Sequence, residues 1–499
     1  MSMPLCFFRT FALTIKGLSM KQTKIVCTIS DQHCEQDFLR HLFFAGMNVV
    51  RMNTAHATPD GIRQIIRNTR AVSPHLALLI DTKGPEVRTT DTKEPILFRT
   101  GEQVTIIGNP EVTTTHEQIC VSYTKFADDV KVGDDVLFDD GALAMRVTAN
   151  DGHTLTVQVL NNGTLGAHKS VNVPGAHIAL PSLTDRDKRM IRLAIDQDID
   201  FIAHSFVRSA DDVHDIQHIL DDYHSDIKII SKIENQEGVD NIDEIIDASY
   251  GIMVARGDLG IEVPIEQIPG IQRRIIQKCI QKHKPVIVAT QMLHTMINNP
   301  RPTRAEVTDI ANAVFSHTDA LMLSGETANG KYPLEAVKTM ARVAEQAELD
   351  AHREGYLKIP IRNINQREFI SKSAIEATEY LGVKGIITDS GTGETARTLA
   401  SFRGPNPVLA ICYREKLQRW LNLSYGIIAI HQQQHVTAQY MFTAALRMLR
   451  QKGFIDNEDK IAYLSGSLGK GNGTTFLEIN QVKEVFSKRY RFHLPEPEA

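Results

Sequence analysis

Residues 228–258 read KIISKIENQEGVDNIDEIIDASYGIMVARGD, and the same kind of pattern recurs along much of the chain. Two short apolar runs, KIISKIEN (228–235) and GIMVARGD (251–258), are rich in β-branched residues and end in charged ones. Runs of this length and composition are typical of strands buried on both faces of a parallel sheet. A helical pattern lies between them. The stretch therefore predicts a strand–helix–strand unit.

Runs of this kind follow one another from residue 24 to residue 326. They are 24–30, 48–53, 77–83, 201–206, 228–235, 251–258, 285–291 and 320–326. Amphipathic stretches such as Asp211–Tyr223 lie between most of them. Thr184 with Asp187, and Pro302 with Thr303, are helix-start signals. Eight strand–helix units predict an α/β fold built on a (β/α)8 TIM barrel.

The barrel pattern is interrupted by residues 89–172. This segment alternates polar and apolar residues at period two and is punctuated by turn sequences such as Asn-Asp-Gly. It predicts an inserted all-β domain, expected to be a β-barrel. Without it, the barrel span has about 240 residues, close to the ~250 typical of a single barrel. We expect the barrel to comprise residues 20–88 and 173–350.

Residues 351–499 begin with a polar linker, followed by strand and helix patterns that predict a C-terminal doubly wound α/β domain. Residues 1–19 contain Arg9 and Lys16 and no acidic residue. Two explanations stay open for them: a targeting peptide, or an upstream start codon with true initiation at Met20. The second is favoured because no clear cleavage pattern is present.

Composition excludes several classes of protein. The net charge of −5 shows no basic excess of the kind found in nucleic-acid-binding proteins. No apolar run approaches the ~18 residues of a membrane span. The six cysteines form no CxxC pair, which favours a reducing compartment, and we expect a cytoplasmic protein.

Polar residues cluster where most of the predicted strands end. They are Arg51 and Asn53, Asp81 and Lys83, Lys232 and Glu234, Arg256 and Asp258, Thr290, and Ser324 and Glu326. In a barrel the carboxyl ends of the strands surround one active site. A spacing of two predicts that both members of a pair point to the same side of their strand.

The charges at these strand ends predict a metal-dependent site for an anionic ligand. Glu234 and Asp258, on neighbouring strands, suit Mg²⁺, which takes one or two carboxylates and fills its shell with water and substrate oxygens. Arg51, Arg88 and Lys232 add cations that would suit a phosphorylated carboxylate. His214 and His218 have a helical metal-ligand spacing, but they lie on a solvated, aspartate-rich face without a third ligand.

The chain resembles the pyruvate kinase family from about Met20 to its end. The matching segments include TKIVCTI, DTKGPEVRT, SKIENQEGVDN, IMVARGDLGIEVP, ATQML, NPRPTRAEVTDIANAV and LMLSGETANGKYPLEAV. The resemblance implies transfer of the phosphoryl group of phosphoenolpyruvate to ADP, giving pyruvate and ATP, in the last step of glycolysis. Two alternatives stay open: another Mg²⁺-dependent barrel enzyme acting on phosphoenolpyruvate or pyruvate, and a non-catalytic metabolite sensor.

The same resemblance implies a role for each site residue. Lys232 would compensate the charge on the phosphoryl group and the enolate, with Mg²⁺ on Glu234 and Asp258. Arg51 would contact phosphate, and Ser324 and Glu326 would complete the substrate site. Gly257, Asp258 and Thr290 would bind the substrate carboxylate, and Thr290 would also lie on the route of the proton to the enolate carbon. Arg88 and Lys169 would bind the nucleotide phosphates. The inserted β domain would be a lid that closes over ADP.

A monovalent cation site is also implied, with one departure from the family pattern. Asn53, Asp81 and Thr82 would bind K⁺, and Glu86 matches the potassium-dependent members. The serine that supplies a further ligand in the family is Ala55 here. We therefore expect K⁺ dependence with a weaker affinity.

A loop in the C-terminal domain, TDSGTGETAR (388–397), has the hydroxyls and glycines of a phosphate cradle. The resemblance implies an allosteric site for a sugar-phosphate or nucleotide there, with an ordinary strand–helix turn as the alternative. The residues of this candidate effector loop are Thr388, Ser390, Gly391, Thr392 and Thr395. The resemblance further implies a homotetramer.

Overall fold

The computed structural model describes residues 21–354, 359–360, 365–433, 438–466 and 473–486. The extension predicted for residues 1–19 lies outside the described residues. Three structural units follow one another in the described chain: a parallel barrel, a β domain inserted into it, and a C-terminal α/β domain.

The predicted barrel is confirmed within residues 21–354, as a closed ring of eight parallel strands in the order β1-β16-β15-β14-β13-β12-β3-β2. Its strands are β1 Lys24–Thr28, β2 Val49–Asn53, β3 Ala77–Asp81, β12 Phe201–His204, β13 Lys228–Ile233, β14 Gly251–Ala255, β15 Val286–Ala289 and β16 Ala320–Leu323. Each lies inside a run predicted from the sequence. Strands β3 and β12 pair directly, with Phe201 opposite Leu79, although the inserted domain separates them along the chain.

The β-branched runs form strands here because both of their faces are buried. Val26, Leu79 and Met253 lie in one apolar cluster, and their neighbours Ile25, Leu78 and Ile252 lie in another, beneath the helices. The first of these clusters continues into the C-terminal domain, where it includes Trp420. A strand buried on both faces has no polar side, which explains why these runs show no alternation.

The helices around the barrel begin where the sequence signals predict. Thr184 and Thr303 each form a capping box, with Asp187 and Glu306. The helices are α1 Gln36–Ala45, α2 Pro59–Val72, α4 Asp185–Asp196, α5 Ala210–Asp222, α6 Gln236–Asp240, α7 Ile242–Ala248, α8 Arg256–Glu262, α9 Ile268–Gln281, α10 Arg304–Phe315, α11 Gly325–Ala328 and α12 Pro333–Glu354. Two 3₁₀ turns, Ile265–Gln267 and His294–Ile297, complete the connections.

The insertion, called the lid below (residues 89–172), is a β domain with one short helix, α3 Phe126–Asp129. Its strands are β4 Ile96–Phe98, β5 Gln103–Gly108, β6 Gln118–Val121, β7 Asp135–Phe138, β8 Leu143–Asn150, β9 Thr154–Val159, β10 Gly163–Leu165 and β11 Val171–Asn172. The strands predicted to form a β-barrel lie in a six-stranded sheet, ordered β11-β7-β8-β9-β5-β6, and a separate pair, β10-β4. Alternate residues such as Val104 and Ile106 fill its own core.

The chain enters and leaves the lid through one joint, called the lid hinge below (residues 87–90 and 168–172). Thr89 N donates to Lys169 O at 2.9 Å, and Val171 N donates to Val87 O at 2.9 Å. Lys169 N also donates to the Thr89 hydroxyl at 2.9 Å. The two crossings therefore form a small antiparallel ladder of their own.

The C-terminal domain is the predicted α/β sheet with helices. Its strands, ordered β19-β18-β17-β20-β21, are β17 Val383–Ser390, β18 Val408–Cys412, β19 Ile427–His431, β20 Lys460–Ser465 and β21 Phe476–Gln481. Strand β21 runs antiparallel to β20 and the others pair in parallel. Its described helices are α13 Gln366–Tyr380, α14 Glu394–Ser401, α15 Glu415–Leu421, α16 Ala438–Gln451 and α17 Val482–Val485.

Candidate active site

Charged side chains meet at the carboxyl ends of the barrel strands, and four of them form the buried charge cluster: Arg51, Asp81, Lys232 and Glu234. Lys232 Nζ donates to the Ser205 hydroxyl at 2.8 Å, and it lies 2.8 Å from Glu234 Oε1 and 3.3 Å from Asp81 Oδ1. The Lys232 side chain is only 11% exposed. The barrel therefore holds this ammonium group in place before any ligand arrives.

Arg51 completes the cluster from strand β2. Its Nε donates to Asp81 Oδ2 at 2.7 Å, Nη2 lies 2.6 Å from the same oxygen, and Nη1 donates to the Thr28 hydroxyl at 2.8 Å. Both Arg51 and Asp81 are buried. Fixing the guanidinium on three strands gives it one orientation toward the barrel axis, which suits a phosphate contact.

The protonation states follow from burial set against neighbouring charge. Burial opposes the charge of Lys232, but Asp81, Glu234 and Asp258 outweigh it, so the pKa of Lys232 is raised. Burial also opposes the charge of Asp81, but Arg51 and Lys232 outweigh it and the pKa of Asp81 is lowered. For Glu234, burial raises the pKa to about 8; Lys232 opposes the shift and Asp258 adds to it. Glu234 is thus the one carboxyl of the cluster that lacks enough positive charge nearby.

Glu234 and Asp258 fit a divalent cation. Glu234 Oε2 accepts from Phe206 N at 2.7 Å, and Oε1 lies 2.8 Å from Lys232 Nζ. Because Asp258 adds a second negative charge and the pKa of Glu234 stays raised, this pair of carboxyl groups suits a hard cation that would supply further positive charge. The described residues hold no cluster of three or more His, Cys, Asp or Glu ligands. A cation here must therefore take further ligands from substrate and water, as Mg²⁺ commonly does.

Gly257 and Thr290 form the wall beside the carboxylates. Gly257 N donates to the Thr290 hydroxyl at 2.8 Å, and that hydroxyl donates to Ala289 O at 2.7 Å. Thr290 has φ = +70°, a left-handed conformation that is rare for a β-branched residue and typical of functional sites. A Cβ on Gly257 would meet Thr290 at 3.5 Å, an ordinary contact. The protein's own packing therefore does not require glycine at 257, which points to a ligand approaching the backbone there.

Ser324 follows the end of β16 and Glu326 lies on helix α11, so the strand spacing predicted for this pair is wrong; Glu326 joins two loops. Its Oε2 accepts from Ser324 N at 2.7 Å and its Oε1 accepts from Leu293 N at 3.1 Å. The Glu326 side chain is buried. Because both carboxylate oxygens bind backbone amides, Glu326 supports the loops after β15 and β16, and the half-buried Ser324 is the nearer of the two to solvent.

The prediction that Arg256 and Asp258 point to the same side of a strand is wrong. The structure ends β14 at Ala255 and begins α8 at Arg256, so Arg256 and Asp258 sit on a helix and not on a strand. Side chains that are two residues apart on a helix point to different sides of it. Arg256 bonds to Asp309 at 2.7 Å and to the Thr290 carbonyl at 2.7 Å. Arg256 therefore holds the backbone of Thr290 in place. Asp258 interacts electrostatically with Lys232 and Glu234.

The residues predicted to bind K⁺ lie at the adjoining ends of β2 and β3, where Asn53 pairs with Asp81. Asn53 Oδ1 accepts from Ala55 N at 3.0 Å, and the Thr82 hydroxyl accepts from Ser205 N at 3.0 Å. Asp81 contributes to the same region, but its carboxylate already contacts Arg51 and Lys232. The methyl group of Ala55 offers no oxygen where the family pattern has a serine hydroxyl.

Arg88 and Lys169 come together at the lid hinge. Arg88 bonds to Glu86 Oε2 at 2.6 Å and to the His168 carbonyl at 2.7 Å. Lys169 Nζ lies 2.9 Å from Asp139 Oδ2. Each of these two side chains is 38% exposed. Both cations are therefore held by surface ion pairs at the edge of the lid.

The candidate effector loop joins β17 to α14. Ser390 Oγ accepts from Gly393 N at 2.7 Å, and the Thr395 hydroxyl lies 2.6 Å from the Thr474 hydroxyl. Thr388 is buried within β17, while Gly391 and Thr392 form the turn, with Thr392 Oγ1 accepting from Glu394 N at 3.4 Å. The five residues thus extend from β17 through the turn to the start of α14, and their ligand stays a prediction.

Sequence reasoning missed two residues of the pocket, Thr28 and Ser205. Ser205 accepts from Lys232 and its hydroxyl donates to the Thr82 carbonyl at 2.7 Å. Thr28 holds Arg51. Their position is the signal that could have found them: Thr28 ends the first strand and Ser205 follows the fourth, and polar residues at strand ends were predicted only for the other strands.

Comparison with known proteins identifies the family. The sequence profile described as "Pyruvate kinase, barrel domain" matches residues 20–337, and "Pyruvate kinase, alpha/beta domain" matches residues 368–479. The chain belongs to the pyruvate kinase family. This assignment supports a catalytic protein over a metabolite sensor, and over a lyase or aldolase on a similar barrel.

Similar proteins agree over nearly the whole chain. A pyruvate kinase of Borreliella burgdorferi is 46% identical over 94% of this chain and 99% of its own length. One from Clostridium acetobutylicum is 40% identical over 93% of this chain and 100% of its own length. A crystal structure of a pyruvate kinase from Cryptosporidium parvum superposes with a TM-score of 0.86 at 35% identity, covering 93% of this chain and 96% of that one.

The family generally requires a divalent metal and a monovalent cation. Within the described part of the chain, no helix has the length and apolarity needed to cross a membrane.

Proposed function

We propose that the protein transfers the phosphoryl group of phosphoenolpyruvate to ADP, giving pyruvate and ATP, in the last step of glycolysis. The observation that carries this proposal is the pocket in which Arg51 pairs with Asp81, and Lys232 pairs with Glu234 near Asp258, beside the Gly257–Thr290 wall. A compact anion that carries both a phosphate and a carboxylate needs this combination of groups.

The substrate is held by groups that are already oriented. The Gly257 N–H and the Thr290 hydroxyl, which bond to each other and to Ala289 O in the free protein, exchange these bonds for the substrate carboxylate, and Arg51 binds its phosphate. Lys232 lies between them, next to the oxygen that bridges phosphorus and carbon. Phosphoryl transfer depends mainly on positioning and on compensation of negative charge, and buried cations provide this without reorganisation.

Glu234 and Asp258 would hold the divalent cation, which we propose to be Mg²⁺. When bound, it would neutralise negative charge on the substrate oxygens. In the reaction the bond between phosphorus and the enol oxygen breaks, and a bond forms to a terminal β-phosphate oxygen of ADP. Lys232 compensates the charge left on the enolate oxygen.

The enolate then takes a proton at its terminal carbon to become pyruvate. The Thr290 hydroxyl, fixed by Gly257 N and Ala289 O, lies at the wall where this proton arrives. We assign Thr290 to the end of the proton route, because a threonine hydroxyl can pass a proton on but is too weak an acid to be its source.

The lid supplies the nucleotide contacts. Arg88 and Lys169 bind the ADP phosphates after leaving Glu86 and Asp139. Asn53, Asp81 and Thr82 would hold K⁺, which would supply further positive charge. Closure of the lid excludes water, which would otherwise compete with ADP for the phosphoryl group.

Three further properties belong to the proposal. The candidate effector loop binds a sugar-phosphate or nucleotide activator, the chain assembles as a homotetramer, and the protein works in the cytoplasm. The last is supported by the five described cysteines, all free and buried. Titration of candidate effectors at sub-saturating phosphoenolpyruvate tests the first, with an unchanged curve for all of them counting against it.

The deciding experiment measures pyruvate formation from phosphoenolpyruvate and ADP, with Mg²⁺ and K⁺, for the wild type and for Lys232→Met. The wild type should form pyruvate only when ADP is present. The variant should be slower by about 100–1000-fold, as expected when one preorganised charge is removed from a transition state. Equal rates in the two proteins would refute the role of Lys232, and pyruvate formation without ADP would support a different reaction.

A further inference from the structure

Among the described residues, one side-chain hydrogen bond joins the lid to α8, the helix that carries Gly257. Asn172, the last residue of β11, donates through Nδ2 to Glu262 Oε1 at 2.9 Å. Glu262 is the last residue of α8, whose first turn contains Gly257 and Asp258. The contact therefore spans from the lid's return strand to the helix that we assign to substrate and metal.

The geometry of α8 makes this contact relevant to the site. Asp258 and Glu262 are four residues apart, so they lie on one face of the helix. Together with Asn172 they line a cavity of about 330 Å³ between the lid and the barrel. With seven residues in α8, a shift at Glu262 is carried to Asp258 within little more than one helical turn.

Glu262 depends on Asn172 for its bonding. Among the described residues, the amide of Asn172 is the hydrogen-bond donor to the Glu262 carboxylate, and no ion pair to Glu262 is formed. Burial raises the pKa of Glu262, and the bond from Asn172 opposes that shift. Losing Asn172 would leave a half-buried carboxyl group without its partner.

The chain that follows Asn172, residues 173–180, is bonded to the barrel. His177 Nδ1 lies 2.9 Å from Glu237 Oε2 of α6, and Arg208 donates to the Leu180 carbonyl at 2.9 Å. The segment after Asn172 is therefore held at two points. If the lid rotates about its hinge, the chain can shift only before these two bonds. Asn172 lies in that part of the chain.

We propose that Asn172 and Glu262 are positioning residues that couple the position of the lid to α8, so that Gly257 and Asp258 are set for substrate and metal when the lid is in place. This inference rests on the proposed function and adds to it. The lid then assembles the carboxylate and metal sites in addition to covering the nucleotide.

The test uses a pair of substitutions that breaks the bond and then restores it. Asn172→Asp places two carboxyl groups against each other. Glu262→Gln combined with Asn172→Asp restores a hydrogen bond with its direction reversed, from the amide of Gln to the carboxylate of Asp. Arg146→Gln, which removes the lid-surface pair of Arg146 with Asp135 at 2.7 Å, is the matched control.

Asn172→Asp should raise both the KM for phosphoenolpyruvate and the half-saturating Mg²⁺ concentration by about 10-fold, with kcat within about threefold of the wild type. The double variant should return both constants to within about threefold of the wild type, and Arg146→Gln should leave them unchanged. Unchanged constants in Asn172→Asp, or no recovery in the double variant, would overturn the coupling.

A second measurement does not depend on activity. Hydrogen–deuterium exchange of a peptide covering residues 256–263 should be about 3–10-fold faster in Asn172→Asp than in the wild type, with exchange in α9 unchanged. Equal exchange in α8 would overturn the inference even if the enzyme were active. Conversely, a wild type that forms no pyruvate would refute the proposed function, while the exchange data would still decide the coupling.

Discussion

The buried charge cluster and the lid hinge both hold cations that we propose for the same substrate complex, yet they hold them differently. In the cluster, Lys232 and Arg51 are 11% and 9% exposed and contact groups from neighbouring strands. At the hinge, Arg88 and Lys169 are each 38% exposed and pair with carboxylates of the same region. Buried charges are set in advance, whereas exposed pairs exchange partners readily and are screened by salt.

This difference separates two tasks. In the proposed mechanism the cluster acts on charge that develops during the reaction, so its side chains need to be oriented before the substrate binds. In the same mechanism the hinge binds a nucleotide and releases it again, so weak and exchangeable ion pairs are suitable. Substitutions in the two regions should therefore differ in size and in the kinetic constant they change.

The largest effect is expected from Glu234→Gln in the cluster. The change keeps the size of the side chain but removes the charge on a fully buried metal ligand, so kcat/KM should fall by about 100–1000-fold at saturating Mg²⁺. Steady-state kinetics over a Mg²⁺ titration measures this. The exposed Glu266→Gln is the control, and a loss of less than about threefold at Glu234 would contradict the assignment.

Gly257→Ala should give a smaller loss that is confined to binding. The added Cβ fits the protein at 3.5 Å from Thr290, so the melting temperature should stay within about 2 °C of the wild type. The Cβ would meet the substrate carboxylate, and the KM for phosphoenolpyruvate should rise about 10-fold. A destabilised protein with an unchanged KM would show that the glycine serves folding.

At the hinge, Lys169→Ala should be milder still. We expect the KM for ADP to rise about 3–10-fold with little change in the KM for phosphoenolpyruvate, because only a nucleotide phosphate contact is lost. The difference from the wild type should shrink at high salt, which screens exposed charges. A salt-independent loss, or one that affects phosphoenolpyruvate instead, would place Lys169 with the cluster and remove the contrast between the regions.

The smallest effect is expected from Ala55→Ser. A hydroxyl at this position adds an oxygen ligand beside Asn53, so the K⁺ concentration for half-maximal activity should fall about two- to fourfold. Titration with K⁺ at constant ionic strength measures it, with Ala57→Ser as the matched control. No shift, or equal turnover of the wild type in Na⁺ and K⁺ buffers, would argue against K⁺ at this loop.

Much of the fold was predictable because two-sided burial leaves a strong mark on sequence. Runs such as 285–291 and 320–326 contain β15 and β16, and Thr184 and Thr303 begin their helices. The sheet arrangement inside the lid was less predictable. Alternating strands indicate one buried face, but they do not say how the sheet closes.

The site was predictable where a strand continues to its last charged residue, as it does at Arg51 and Asp81. It was not predictable at Arg256, because the change from strand to helix occurs at that residue and alters which way successive side chains point. Ser205 was missed since a small hydroxyl carries little signal by itself. Its importance comes from Lys232, which is distant in sequence and close in space.

The pairing of the two chain crossings at the lid hinge bears on whether the barrel can fold without the lid. Thr89 bonds to Lys169 and Val171 bonds to Val87, so the two crossings are held together by residues that lie outside 90–168. Closing a loop costs little more as it lengthens, about 0.6 kcal/mol for each doubling. The lid is thus a removable module: residues 90–168 replaced by a short glycine-rich linker should leave a barrel that folds, and that exposes its site to water.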